Sequence, residues 1–293
     1  MEILENCTLC PRECKVNRKD GKIGRCRAGA KPKIALASLH YYEEPCISGT
    51  KGSGTVFFTG CNLSCKFCQN YKISQEFSGN EISVKELAQE FVRLQNEGAH
   101  NINLVTGFAY VPMIIEALDI AKKQGLKIPI VYNTSGYESI ETLKMLDGYI
   151  DIYLPDLKYT YSELAKDLSD AENYFDVASE AIKEMKRQVG NPIFDENGIL
   201  QKGLIVRHLV LPNHLQNSKK VLKWIKENLA RDTYVSVMAQ YFPTFKANET
   251  EDINRKLTKE EYFEIENYFY SLSLKNGYMQ EIEEDEAKYV PDF

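Results

Sequence analysis

No run of apolar residues in this 293-residue sequence approaches the length needed to span a bilayer. The N-terminus, Met1-Glu2-Ile3-Leu4-Glu5-Asn6, lacks both the basic and the apolar region of a signal peptide, so the expected location is the cytoplasm. A basic excess is missing too. The formal charge of -6 argues against nucleic-acid binding through phosphates, which needs a cationic surface to release counterions. The four histidines, His40, His100, His208 and His214, show no HxxxH spacing, and structural roles are expected for all but His208. Disorder is not the expectation either, because 43% hydrophobic and 11% aromatic residues suffice for a sizeable core.

The eight cysteines are not expected to form the disulfide framework of a small secreted domain, because the chain is neither small nor secreted by its own sequence. They cluster as Cys7, Cys10, Cys14 and Cys26, then Cys61, Cys65 and Cys68, with Cys46 left over. That grouping points to metal held by thiolates in a reducing compartment. For Cys46 a buried, small hydrophobe is the expected role.

The first forty or so residues show no sustained period of two or 3.6, and read as a small module folded around something other than an apolar core. From Thr55 onward, six short apolar and β-branched runs predict buried strands at 55–59, 101–106, 128–133, 151–156, 204–211 and 234–241. Helical signals lie between them. Ser83 with Glu86 and Thr258 with Glu261 are capping boxes, Pro112 suits a first helical turn, and Gly98, Gly125 and Gly190 serve as stops. Repeated βα units imply parallel strands with right-handed crossovers, and six of them suit an α/β partial (β/α)6 barrel better than a closed eightfold one. A doubly wound sheet is the competing architecture. The expected division is a cysteine-rich metal-binding module at 1–50, a barrel core at 51–275 and an acidic C-terminal tail at 276–293. In either fold, ligands belong at the C-terminal ends of the strands.

Directly after the first predicted strand comes Gly60-Cys61-Asn62-Leu63-Ser64-Cys65-Lys66-Phe67-Cys68. Three thiolates so spaced can wrap a loop around a cubane [4Fe-4S] cluster but leave one iron without a protein ligand. An open iron is what binding and cleaving a small molecule requires. Zinc prefers four ligands, so an isolated triad makes a poor structural zinc site.

This CxxxCxxC loop, with an aromatic residue before its last cysteine, resembles the signature of the radical S-adenosylmethionine (SAM) superfamily. Similarity to the pyruvate formate-lyase activating enzyme-like group extends over essentially the whole chain. It is carried by the CPxxC-type N-terminus, Glu43-Glu44-Pro45-Cys46-Ile47-Ser48-Gly49, the stretch from Cys61 to Asn70, and Asp156-Leu157-Lys158. The resemblance implies that SAM chelates the open iron and is cleaved reductively to methionine and a 5′-deoxyadenosyl radical, with Phe67 near the adenine. It further implies SAM contacts from Asp156 and Lys158 after the fourth strand, Arg207 on the fifth, and Asn133 and Thr134 on the third. An ordinary ion pair between Asp156 and Lys158 is the competing reading. Activating enzymes of this group carry a Gly-Gly-Glu type motif after the second strand. Here the sequence is Thr106-Gly107-Phe108-Ala109, so Thr106, Gly107 or backbone carbonyls are expected to meet the SAM amino group.

Cys7-x2-Cys10-x3-Cys14-x11-Cys26 supplies four thiolates, enough for tetrahedral zinc or for a saturated auxiliary [4Fe-4S] cluster. Zinc is preferred at this stage, because it explains how a segment without a core could fold. The expected function is a radical SAM oxidoreductase that abstracts hydrogen from a protein or peptide, in the manner of glycyl-radical enzyme activases. A small-metabolite substrate is the alternative. A third reading is an iron-sulfur electron carrier without SAM chemistry, which would need Cys46 or another protein ligand at the fourth iron. An electron donor such as flavodoxin or ferredoxin is the implied partner, with neither nucleic acid nor membrane.

Overall fold

Strands buried on both faces read as continuous apolar runs, and the computed structural model places a strand at each of the six predicted positions. It describes residues 2–230, 232–282, 289, 291 and 293. Glu283, Glu284, Asp285 and Glu286 of the expected acidic tail lie outside the described residues.

In chain order the elements begin with β1 (Lys33–His40), α1 (Pro45–Ser48), β2 (Ser53–Phe58), α2 (Tyr71–Ser74), β3 (Asn80–Glu81) and α3 (Val84–Asn96). They continue with β4 (Ile102–Val105), α4 (Val111–Lys123), β5 (Ile130–Thr134), α5 (Ile140–Met145), β6 (Ile152–Pro155), α6 (Ser162–Ser169) and α7 (Tyr174–Val189). The last are β7 (Ile193–Phe194), β8 (Leu200–Leu209), α8 (Leu215–Asn228), β9 (Tyr234–Met238), α9 (Lys259–Ser271) and β10 (Gly277–Met279). Both capping boxes form: the Glu86 and Glu261 amides each donate to the Ser83 or Thr258 hydroxyl at 3.2 Å, and each glutamate accepts in return from the capping residue's amide.

Strands β2, β4, β5, β6, β8, β9 and β10 run parallel in sequence order, and antiparallel β1 and β3 extend the β2 edge. Among the described residues no pairing joins the two ends of the sheet. The fold is therefore an α/β partial barrel, open on one side. β1 falls within the stretch read as the cysteine module, and β10 within the stretch read as the tail. Both lie outermost or nearly so in the sheet, where half-buried or very short strands give weak periodicity.

Two apolar layers hold the barrel. The outer one packs the helices against the strands, as with Leu87, Ala88, Phe91 and Leu94 of α3. The inner one is smaller and forms a floor: Cys46 and Ile47 of α1 pack on Val131, Ile152 and Ile205. The Asn101 amide donates to the Ile47 carbonyl at 2.8 Å and fixes α1 at the N-terminal ends of the strands. This leaves the C-terminal ends open for a ligand.

Strand alternation sorts neighbours to opposite faces. Arg207 of β8 points into the barrel, whereas His208 is fully buried on the outer side, between the Leu157 carbonyl at 2.7 Å and the Ser218 hydroxyl at 2.9 Å. Burial, only partly offset by the bond to Leu157, lowers its pKa from 6.5 to about 4. An unfolded chain takes up that proton near 6.5 and the folded one does not until about 4. The contribution is thus complete above pH 6.5 and is lost as the pH falls toward 4, by about 3 kcal/mol. Denaturant titrations at pH 7 and pH 4.5 should show this loss in the native protein and a clearly smaller one in His208→Gln.

Candidate active site

The triad sits on the loop that leaves β2, at the C-terminal end of the parallel strands. Gly60 begins that loop with φ of 86°, and a Cβ there would run into the Cys26 carbonyl oxygen. Gly60→Ala is therefore expected to destabilise the fold by at least ~2 kcal/mol, since left-handed strain adds to a backbone clash. A melting temperature unchanged within a degree would contradict the close approach.

The three thiols are largely withdrawn from solvent, and each sulfur has a polar neighbour. The Leu63 amide donates to Cys61 Sγ at 3.4 Å, the Ser169 hydroxyl donates to Cys65 Sγ at 3.0 Å, and the Ser74 hydroxyl lies 3.1 Å from Cys68 Sγ. Burial pushes the Cys68 thiol up to about 11, and Cys61 and Cys65 in the same direction. Proximity of the three to one another raises Cys61 and Cys68 further, whereas Lys158 works against the rise in all three. Three buried thiols crowded this way ionise together only if a cation compensates them, as metal ligation does.

Cys65 and Cys68 open onto a cavity of about 700 Å³ inside the barrel mouth. Phe67, Asn133, Asp156, Lys158 and Arg207 line the same cavity, so five of the residues singled out in the sequence converge there with two of the cysteines. Three others do not line it. The Thr134 hydroxyl donates to the buried Glu138 carboxylate and accepts from the Gly136 amide at 3.3 Å, because the residue after Asn133 faces the other side of β5. Thr106 takes a left-handed conformation with φ of 60° where β4 ends, and Gly107 is buried beside Ile114.

A charged network fixes the cavity wall. Arg207 donates to Asp156 at 3.0 Å, to Glu43 at 3.1 Å and to the Asn133 side-chain oxygen at 2.5 Å. Lys158 donates to the second Asp156 oxygen at 2.6 Å, and the amides of Asn103 and Asn133 donate to Glu43 at 3.0 and 3.1 Å. Burial alone would raise the Asp156 carboxyl, yet Lys158 and Arg207 outweigh it and hold the group below its ordinary value. Asp156 therefore stays ionised. Glu44 behaves differently: its burial is complete enough to raise its pKa despite Arg207, and Glu43 adds to the rise. One Glu44 carboxyl oxygen has no hydrogen-bond partner among the described residues.

Glu43 and Glu44 were not identified as site residues from the sequence. They arrive from the β1–α1 connection, and only the Glu-Glu-Pro-Cys-Ile-Ser-Gly similarity marked the segment at all. Ser236 of β9 and Gln240 beyond it were likewise missed, as single polar residues in an apolar stretch. Cys46 lies in the apolar floor among Ile47, Val131 and Ile152, as expected of a small hydrophobe.

Residues 55–200 match the Radical SAM superfamily. The uncharacterized protein MJ0674 of Methanocaldococcus jannaschii is 35% identical over 269 residues, which cover 88% of this chain and 72% of that protein. The pyruvate formate-lyase-activating enzyme of Clostridium pasteurianum is 24% identical over 132 residues, 43% of this chain and 54% of that enzyme. Among solved structures, SuiB of Streptococcus suis bound to S-adenosylmethionine aligns over 75% of this chain and 48% of its own, with 16% identity and a TM-score of 0.49. The chain thus spans about half the length of the activating enzyme and of SuiB. The chain belongs to the radical SAM superfamily.

Among the described residues no helix is long and apolar enough to cross a membrane.

Proposed function

We propose that this chain binds a [4Fe-4S] cluster through Cys61, Cys65 and Cys68 and cleaves SAM reductively, as a radical SAM oxidoreductase resembling glycyl-radical enzyme activases. The observation that carries this reading is the convergence of Cys65 and Cys68 of the buried triad with Phe67, Asn133, Asp156, Lys158 and Arg207 on one cavity. Three thiols fit a cubane with one iron left for a ligand, and hydrogen bonds to their sulfurs suit a tuned redox centre. When bound, that cluster supplies the single electron that breaks the sulfonium carbon–sulfur bond, giving methionine and a 5′-deoxyadenosyl radical able to take a hydrogen atom from substrate.

The chain's own side chains hold SAM. Lys158, kept charged against the burial that would lower its pKa by Asp156, offers a cation for the SAM carboxylate beside the triad. Phe67 presents an apolar face for the adenine. Asp156 and Arg207 fix each other and Asn133, so the polar wall is set before the ligand arrives. A cytoplasmic, reducing setting suits eight unpaired cysteines, and a flavodoxin or ferredoxin would deliver the electron.

The substrate of this reading is a protein or peptide. A small metabolite is the second reading, favoured by Glu44: a buried carboxyl with an unpartnered oxygen in the cavity is suited to a compact polar group. Anaerobically reconstituted protein, dithionite and SAM should yield 5′-deoxyadenosine, and its absence from a protein with full iron content would refute the proposal. Lys158→Ala should raise the SAM Kd roughly tenfold, the scale of one charge-assisted contact, with iron content unchanged. Titration calorimetry would read it.

A further inference from the structure

We propose that Cys7, Cys10, Cys14 and Cys26 hold a second, fully ligated [4Fe-4S] cluster, not a zinc ion. The four cysteines line one small cavity of about 10 Å³, together with Leu9, Phe108 and the Arg18 side chain. That volume admits a water-sized sphere, which keeps the wall atoms ~3 Å or more from its centre. A zinc–thiolate bond is only ~2.3 Å, so sulfurs arranged for zinc would close the space. A cubane holds its thiolates further out, because an iron corner stands between each sulfur and the centre.

Charge indicates independently that the four thiols are held as metal-bound thiolates. Arg18 is only 1% exposed, donates to the carbonyls of Gly29 and Ala109, and has its guanidinium 3.9 Å from Cys7 Sγ. Among the described residues no carboxylate forms an ion pair with it. A buried cation without a carboxylate is costly unless some other anion balances it. Four metal-bound thiolates carry net negative charge, around a [4Fe-4S] core as around a zinc ion, and supply that balance. The sulfurs are further enclosed by backbone: the Arg25 amide donates to Cys14 Sγ at 3.3 Å, and a Cβ on Gly24 would lie 2.8 Å from the same sulfur.

Four protein thiolates leave no iron open, so this second cluster binds no SAM, and one-electron transfer is the chemistry available to it. It adjoins the first site directly. Gly60 packs on the Cys26 carbonyl, the Arg12 guanidinium donates to the Asn62 carbonyl at 2.9 Å, and Arg25 donates to the Ser64 hydroxyl at 2.7 Å.

The inference does not depend on SAM cleavage, and its test can separate the two. In the Cys61→Ala/Cys65→Ala/Cys68→Ala triple variant, purified anaerobically, about four irons and four sulfides should remain per chain, with zinc far below one. The visible absorption should bleach with dithionite and an electron paramagnetic resonance signal of a reduced cluster should appear. About one zinc without sulfide would overturn the assignment, as would absence of any metal from a folded variant. Should the triple variant fail to fold, the native protein decides: about eight irons support the second cluster and about four overturn it.

Discussion

Arg207→Ala should lower the melting temperature of the metal-free protein by roughly 10 °C and raise the SAM Kd. The guanidinium is nearly buried and serves Asp156, Glu43 and the Asn133 oxygen at once. Removing it leaves Glu43 with two amide donors and Asp156 with Lys158 alone. Truncating one member of a buried charge network typically costs about 3–5 kcal/mol, because the remaining charges are left uncompensated away from water. For a domain of this size that corresponds to about 2–4 °C per kcal/mol. Arg207→Lys should recover part of the loss: it restores the charge but not the three-way fork. Equal melting temperatures for the lysine and alanine variants would mean that geometry matters and charge does not. No change in either would remove Arg207 from the framework of the site.

Single Cys61→Ala, Cys65→Ala and Cys68→Ala variants should each reduce 5′-deoxyadenosine formation to the level of a protein-free control. Two thiolates cannot retain a cubane with a defined open corner, so the loss is expected to be all-or-none. Cys46→Ala is the internal comparison. Its sulfur packs in the floor with Ile47 and Val131, so it should keep full iron content and product formation at a cost of about 1 kcal/mol in stability. Loss of product in Cys46→Ala with the iron intact would mean that the floor shapes the site more than its position suggests.

Much of the fold could be read from the sequence because its signals are local. Buried parallel strands announce themselves as apolar runs, both capping boxes lie within four residues, and the triad fits in one loop. The cavity lining was legible where one residue at a strand end suffices, as with Asn133, Asp156 and Arg207. Adjacent residues read as a pair were the weak point: consecutive strand side chains face opposite ways, and Thr134 consequently bonds to Glu138 instead of lining the cavity. Glu43 and Glu44 could not be found by any local pattern, because their partners lie on β4, β5 and β8. The choice between zinc and cluster in the N-terminal module was equally beyond spacing, since both accept four cysteines.

The bond from Arg207 to Glu43 spans 164 residues of chain. At about 5–20 residues per second, a ribosome delivers the arginine on the order of ten to thirty seconds after the glutamate. Until then the short helix behind Glu43 has no completed surface on which to lie, and its apolar side, Cys46 and Ile47, stays available to any holding chaperone. Closure of the barrel bottom is therefore a late event in biogenesis, set by translation and not by the microseconds in which a helix can form.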